Sequence, residues 1–240
     1  MRKTYAHEYD GEYIVTSATI KNGKRTETRE WVDYTVDNSQ HNRVAYVIGN
    51  GPSRLGFKLS LLQKVHGGNL AKRMGQTYGC NALLRDFEPD FAVVRSRDVA
   101  YEIEENNIAP STVKYTWANN IVQCPGIFHL LPYNLPLCAG AAALYLSCFD
   151  EHKEVFLLGF DGQTSPGYNT NVYAGTPGYA AANSNASGKN MIADVARVFA
   201  LYNDVSFYVV TDAAKHDAWR YHRNVEWLTY RQFVSLQDLG

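Results

Sequence analysis

The sequence predicts an α/β fold in which a doubly wound, mostly parallel sheet follows an N-terminal β-hairpin. Short apolar runs alternate with segments of helical periodicity, and two of these runs end at a glycine-bearing loop. The length of 240 residues permits one large domain, because single cores stop growing only near about 250 to 300 residues. We assign residues 1–42 to the hairpin and a linker, and residues 43–240 to the main domain.

The hairpin is predicted from two β-prone stretches, residues 13–16 and 31–34, with Asn22-Gly23 between them as a type I′ turn signal. Residues 37–42 are polar and predict a linker. An exposed edge strand in such an appendage is able to pair with a second subunit, so a homo-oligomer is one expectation.

The parallel sheet is predicted from apolar runs of strand length. Residues 44–48 are nearly all apolar and end at glycine, as in a strand buried on both faces, so we expect them to form the central strand. The other predicted strands are residues 91–94, 127–131, 155–158 and 205–210. Helices are predicted at 57–65, 98–106, 140–149 and 189–202. Alternation of these elements implies crossover connections and helices on both faces of the sheet.

Composition excludes several classes of function. No apolar run approaches the about 18 residues of a membrane span, and the polar N-terminus lacks the pattern of a signal peptide. We therefore expect a cytoplasmic protein with no membrane partner and four free cysteines. The net charge is −1, and the sequence lacks the strongly basic stripe of a protein that binds a phosphate backbone. A nucleic-acid substrate is not excluded by this.

The first candidate site is the loop at residues 49–53, with sequence Gly-Asn-Gly-Pro-Ser. Gly49 and Gly51 permit a tight turn and a close approach to a ligand, and Ser53 is placed to cap a following helix whose amides favour an anion. The spacing matches neither the dinucleotide fingerprint nor the Walker loop. A tight turn followed by a helix cap explains the same residues without a ligand.

Two further positions complete the candidate site. Asp161 follows the strand predicted at residues 155–158, where an aspartate holds a ribose hydroxyl, a metal or an acceptor's proton. Gly140 lies among small residues at the start of a predicted helix, which permits a phosphate to come close. An Asx-turn at Asp161 and close helix packing at Gly140 are the alternatives. The loop at residues 162–188 predicts a lid, whose tyrosines 168, 173 and 179 are able to support a leaving phosphate.

The order of these motifs resembles the bacterial family of CMP-sialic-acid-dependent sialyltransferases. The resemblance runs from about Arg43 to Val210 and rests on the loop at 49–53, residues 78–81, Ala139-Gly140, residues 159–161 and residues 173–175. It implies a Rossmann-like fold and transfer of a sugar from a nucleotide-sugar donor, CMP- or UDP-linked, without a metal or another cofactor. The acceptor is unknown, and a glycan or modified DNA is expected.

The resemblance also implies roles for single residues. Asn50, Gly51, Ser53 and Asn81 hold the donor nucleotide together with Gly49, and Gly140 lies at the cytidine and phosphate. Asp161 lies beside the sugar, and Tyr173 assists departure of the nucleotide. The family has a general-base histidine immediately before that tyrosine, and this chain has Val172 there. Because valine cannot accept a proton, either Asp161 or a histidine from elsewhere takes the role, or the acceptor needs little deprotonation in the transition state.

Two other functions remain open from the sequence. The same glycine loop resembles the archaeal pterin diphosphokinase-like family, which moves pyrophosphate from ATP and implies magnesium. A catalytically inactive binding or structural protein with the same fold is the third hypothesis, since Val172 removes the family's base. The whole pattern also resembles uncharacterised proteins of large tailed phages, which implies that the host cytoplasm is the place of action.

Overall fold

The computed structural model describes residues 2–7, 12–21, 24–33, 44–62, 75–132, 136–161, 171–179, 188–212 and 217–237. It begins with a three-stranded antiparallel sheet of strands β1 (Arg2–His7), β2 (Glu12–Lys21) and β3 (Lys24–Asp33), in the order β1-β2-β3. The hairpin predicted from residues 13–34 is therefore confirmed as β2 and β3, which pair as far as Lys21 opposite Lys24. The predicted Asn22-Gly23 turn lies outside the described residues. Strand β1 was not predicted.

The main sheet has eight strands in the order β11-β10-β9-β4-β5-β6-β7-β8, and every neighbouring pair is parallel. These strands are β4 (Val44–Ile48), β5 (Gln76–Cys80), β6 (Phe91–Val93), β7 (Val113–Thr116), β8 (His129–Leu130), β9 (Glu154–Leu158), β10 (Ser206–Val210) and β11 (Val225–Leu228). The predicted strand at residues 44–48 is an interior strand, as expected. The other four predicted runs are also strands, although β8 is shorter than the run at 127–131 that predicted it.

Helices cover both faces of this sheet. They are α1 (Arg97–Asn106), α2 (Ala118–Gln123), α3 (Ala139–Phe149), α4 (Gly188–Leu201) and α5 (Tyr230–Leu236). Helices α3 and α4 pack on the face that carries Val47 and Leu157, and α5 packs on the face that carries Tyr46 and Phe156. The predicted doubly wound α/β class is therefore confirmed. Among the helices that the structure describes, none has the length and apolar character needed to cross a bilayer.

The helix predicted at residues 57–65 is wrong over its described part. The chain forms two 3₁₀ turns instead, Pro52–Gly56 and Leu59–Leu62, separated by an extended Phe57 with φ −119° and ψ 136°. Gly56 has a poor helix propensity, and the extended backbone at Phe57 breaks the ladder of helical hydrogen bonds. The apolar spacing that predicted a helix is satisfied here by Phe57 and Leu62, which both reach the core from separate turns.

A buried polar cluster lies where β5 begins and where the chain enters β9. The hydroxyl of Tyr78 donates to Asp150 Oδ2 over 2.7 Å and lies 2.9 Å from His152 Nε2, which is 3.0 Å from Gln76 Oε1. Because an amide oxygen only accepts, His152 Nε2 carries the proton and donates to both neighbours. Burial of the phenol, then the charge of Asp150, raises the pKa of Tyr78 well above its ordinary value.

We predict that Tyr78→Phe destabilises the protein, because it removes the group that joins Asp150 to His152 in a fully buried place. The expected loss in free energy of unfolding is about 1 to 3 kcal/mol, measured by urea denaturation. Tyr221→Phe is the control, since Tyr221 is 88% exposed, and a change within about 0.5 kcal/mol is expected there. Equal stability of the two variants would contradict the importance of the cluster.

Candidate functional site

The two glycine-bearing loops meet where the order of the parallel sheet reverses. From β4 the chain builds β5, β6, β7 and β8 on one side, then returns to place β9, β10 and β11 on the other. Strands β4 and β9 are neighbours, with Ile48 opposite Leu158, so their carboxyl ends lie together. In open parallel sheets this switch point is where ligands bind.

Backbone hydrogen bonds join these two loops directly. The amide of Gly49 donates to the carbonyl of Leu158 over 2.8 Å, and the amide of Gly51 donates to that of Gly159 over 2.9 Å. A Cβ atom on Gly49 or Gly51 would lie 2.5 or 2.6 Å from the Gly159 oxygen, which is a clash with backbone. Gly159 itself has φ +72°, in the left-handed region that favours glycine. The glycines are therefore required by loop-to-loop contact.

Asp161 holds the first loop through its carboxylate. Its Oδ2 accepts from the Ser53 amide over 2.7 Å, and its Oδ1 accepts from the Ser53 hydroxyl. We expected Ser53 to cap a helix with free amides for an anion, and this is wrong. A 3₁₀ turn follows instead, it has no side-chain cap from its own N-terminus, and Asp161 and Gly159 occupy the Ser53 and Gly51 amides.

The side chain of Asn50 carries a buried oxygen to which no described residue donates a hydrogen bond. Its Nδ2 donates to the Cys80 carbonyl over 3.2 Å and to the Tyr179 hydroxyl over 3.4 Å, so the orientation of the amide is fixed. Its Oδ1 is buried and has no hydrogen-bond partner among the described residues. The Asn50 carbonyl accepts from the amide of Val172 over 2.9 Å. Asn50 Oδ1 is therefore an acceptor at the switch point that has no donor among the described residues, and Val172 is the neighbouring aliphatic residue.

Asn81 and Gly140 lie at the same edge of the sheet but are used structurally. Asn81 has φ +46°, and its Oδ1 accepts from the amides of Arg95 and Ser96 over 2.7 and 3.2 Å, which ties the end of β5 to the end of β6. At Gly140 a Cβ would lie 3.4 Å from the Phe160 ring. The start of α3 is approached by Asp194, which accepts from the Cys138 amide over 2.7 Å and places negative charge there.

Tyr173 is anchored by a buried arginine. Arg54 is only 3% exposed, and its Nη2 donates to the Tyr173 hydroxyl over 2.7 Å. That hydroxyl donates to Asp86 Oδ2 over 2.5 Å, and Asp86 also lies 3.7 Å from Arg54 Nη2. Burial, then the hydrogen bond to Asp86, raises the pKa of Tyr173. In this arrangement Tyr173 stays protonated and fixes the segment that carries Val172.

A second arginine holds the far end of the same segment. Arg85 pairs with Glu102 of α1 and donates to the Thr176 hydroxyl over 2.7 Å and to the Pro177 carbonyl over 2.8 Å. The hydroxyl of Tyr179 accepts from the amide of Ala82 over 3.3 Å. Residues 171–179 are thus attached to the ends of β4 and β5. The remainder of the predicted lid, with Tyr168, lies outside the described residues.

The sequence reasoning missed one residue beside this site, Tyr230 at the start of α5. Tyr230 is 8% exposed, and Ser53 and Asp161 are among the groups that act on its hydroxyl. Burial raises its pKa to about 12. Thr229 and Gln232 form a capping box that predicts a helix starting at Tyr230, but the local sequence does not predict that this helix begins beside Ser53.

The described residues form a polar corner around the Asp161 carboxylate and the buried Asn50 Oδ1, which has no hydrogen-bond partner among them. No group of three or more metal-ligating side chains is brought together in the part of the chain that the structure describes. Of the eight predicted site residues, Ser53 and Asp161 are bonded to each other, and Gly49, Asn50 and Gly51 belong to the same loop, which bonds to Leu158 and Gly159. Asn81, Gly140 and Tyr173 lie around them through Cys80, Phe160 and Arg54.

We predict that Gly49→Ala damages the site, because the added methyl would lie 2.5 Å from the Gly159 oxygen and force the two loops apart. Overpacking of this kind costs about 1 to 3 kcal/mol in free energy of unfolding. Gly56→Ala is the matched control, since its methyl would meet only the Tyr230 ring at 3.7 Å. Chemical denaturation of both variants checks this, and a Gly49→Ala protein as stable as Gly56→Ala would refute the contact.

Stability is also predicted to fall with rising pH above about 10, the ordinary pKa of tyrosine. Burial raises the pKa of Tyr179 and of Tyr230 to about 12, so the unfolded chain loses these protons first. Their contribution is complete below pH 10 and is lost as the pH rises towards 12. In Tyr230→Phe the slope of unfolding free energy against pH flattens by up to about 1.4 kcal/mol per pH unit. Denaturation curves between these pH values check it, with Tyr221→Phe expected to keep the original slope.

Comparison with known proteins gives one distant structural similarity. No protein-family model matches the chain, and it matches no curated protein. It is similar to a solved structure of an alanine variant of the sialyltransferase CST-II in complex with CMP, at 11% sequence identity and a TM-score of 0.41, over 69% of this chain and 80% of that chain. A similarity this distant carries no argument about the site. The α/β class rests on the chain's own parallel sheet.

Proposed function

We propose that this chain is a metal-independent, glycosyltransferase-like enzyme that binds a nucleotide sugar at the carboxyl ends of β4 and β9. One observation carries the proposal: at the topological switch point, the side chain of Asn50 is held in place while no described residue donates to its Oδ1. A nucleotide sugar presents many hydroxyl and amino donors. A buried acceptor left without a partner costs about 1 to 3 kcal/mol, and a ligand donor would recover this.

The other predicted donor-binding residues act by shaping the corner. The amides of Gly49, Gly51 and Ser53 already donate hydrogen bonds to Leu158, Gly159 and Asp161. Asn81 holds the backbone after β6 with its side-chain oxygen. In this proposal Asn50 touches the donor directly, and the remaining residues keep its amide at a fixed place and depth. Such preorganisation lowers the cost of binding.

Asp161 is the residue proposed to meet the acceptor hydroxyl. An ionised carboxylate offers about four lone-pair positions, so Asp161 is able to bond to Ser53 and still accept a proton from a substrate. Tyr173 contributes indirectly, because its hydroxyl is bonded to Arg54 and Asp86. We therefore propose Tyr173 as a positioning residue for the segment at 171–179, and Asp161 as the base.

Binding without turnover is the second candidate, and Val172 favours it. The amide of Val172 donates to the carbonyl of Asn50, so Val172 lies next to the loop at 49–53, at the position where the resembled family has a histidine. An aliphatic group there accepts no proton. The pyrophosphoryl-transfer hypothesis stays a prediction, and magnesium-dependent ATP binding would distinguish it from both.

We predict that the purified protein binds a CMP- or UDP-sugar in calorimetry, and that Asn50→Ala weakens this binding at least tenfold, or about 1.4 kcal/mol. Asn106→Ala is the control, because Asn106 is an exposed asparagine at the end of α1 whose side-chain amide donates to the Glu102 carbonyl of its own helix. Failure of wild-type protein to bind any nucleotide sugar would overturn the proposed function.

Turnover is tested separately from binding. Asp161→Asn is expected to lose release of free nucleotide from the donor at least tenfold while still binding it, if Asp161 is the base. Wild-type protein that binds the donor and never releases nucleotide would support the binding role instead. Product release is followed by chromatography of the nucleotide with and without candidate glycan acceptors.

A further inference from the structure

Beside the candidate site lies a groove between the first 3₁₀ region and α5. Its volume is about 640 Å³, within the about 300 to 1,000 Å³ of small-molecule sites. One wall is Gly56, Phe57, Lys58 and Leu61, and the other is Tyr230, Arg231, Val234 and Ser235. Over residues 52–62 the chain forms two short 3₁₀ turns where part of a helix was predicted, and residues 56–58 and 61 line the groove.

An aromatic contact aligns the two walls. The rings of Phe57 and Tyr230 stack with centroids 5.8 Å apart and an angle of 13° between their planes. The centroid of the Phe57 ring also lies 5.4 Å from that of Phe233, so Phe57 contacts a residue of the core as well as Tyr230. Lys58 and Arg231 come directly after the stacked pair in the sequence. The stack therefore holds one basic residue on each wall, both of them exposed.

The described lining of the groove carries two basic residues and no aspartate or glutamate. The side chains of Lys58 and Arg231 form no ion pair and no hydrogen bond with a described residue. Two cations on facing walls repel each other unless an anion lies between them. Apolar atoms of Phe57, Leu61 and Val234 surround them. This combination suits a ligand with one anionic group and an apolar body.

We propose that this groove binds a small anionic molecule with an apolar body, with its anionic group at Lys58 and Arg231. Tyr230 connects the groove to the candidate site, since its ring lines the groove and its hydroxyl faces Ser53 and Asp161. Calling this ligand the acceptor rests on the proposed function. Binding of the ligand itself does not.

The test uses 8-anilinonaphthalene-1-sulfonate as the anionic probe and N-phenyl-1-naphthylamine as its uncharged counterpart. Fluorescence titrations compare wild type with the double variant Lys58→Glu, Arg231→Glu. The control is Arg197→Glu, Arg223→Glu, which reverses two exposed cations outside the groove and changes net charge equally. Both double variants alter exposed residues, and circular dichroism is used to check that they fold.

We expect the groove variant to bind the sulfonate probe at least tenfold more weakly than the control variant does. The uncharged probe is expected to bind both variants within twofold of wild type. Equal affinities of the two variants for the sulfonate, or an equal loss of the uncharged probe, would overturn the proposal.

The result is separable from the proposed function. A sulfonate effect in a protein that binds no nucleotide sugar would retain the groove and remove the enzyme. Nucleotide-sugar binding together with an insensitive sulfonate probe would retain the donor site and remove the groove.

Discussion

The paired bonds between Ser53 and Asp161 are the constraint on which this corner of the molecule depends. One carboxylate accepts from the amide and from the hydroxyl of the same residue, and so closes the end of β4 onto the end of β9. A hydrogen bond to a charged group is roughly twice as strong as one between neutral groups. The loop at 49–53 is consequently built as a rigid edge and not as an open cradle of amides.

This closure decides what each neighbouring residue is able to do. With the Gly49, Gly51 and Ser53 amides occupied, the side-chain oxygen of Asn50 is the buried loop atom without a partner among the described residues, and the Val172 amide bonds to the Asn50 carbonyl. The segment that carries Val172 is fixed from beneath by the buried Arg54 and from the side by Arg85. Function in this fold therefore concentrates in a few side chains whose positions are set by charged groups below the surface.

Much of the architecture was predictable, because parallel strands buried on both faces leave apolar runs in the sequence. Strand β5 was not predicted, because Gln76, Thr77 and Tyr78 are polar residues. They are buried all the same, through hydrogen bonds to His152, Asp90 and Asp150 respectively. Strand β7 escaped because Lys114 is buried, with its ammonium group on the carbonyls of Ala109 and Thr112. Long-range pairing of this kind has no local signature.

The site was predicted in part for the same reason. The two loops were found because glycine and aspartate after an apolar run are visible in the sequence, and the switch point brings them together. Two features were not visible in the sequence. One is that the Asp161 carboxylate bonds to Ser53, and the other is that Tyr230, which follows β11, lies beside these two residues. Both depend on which strands become neighbours of β4, which local patterns do not specify.

The most direct measurement of this account is a double-mutant cycle on the free energy of unfolding, with Ser53→Ala, Asp161→Ala and their combination. A hydrogen-bonded charged pair predicts a coupling of about 1 to 3 kcal/mol, with the double variant little worse than Asp161→Ala alone. Losses that add to within about 0.5 kcal/mol would show that the two loops are held by something else.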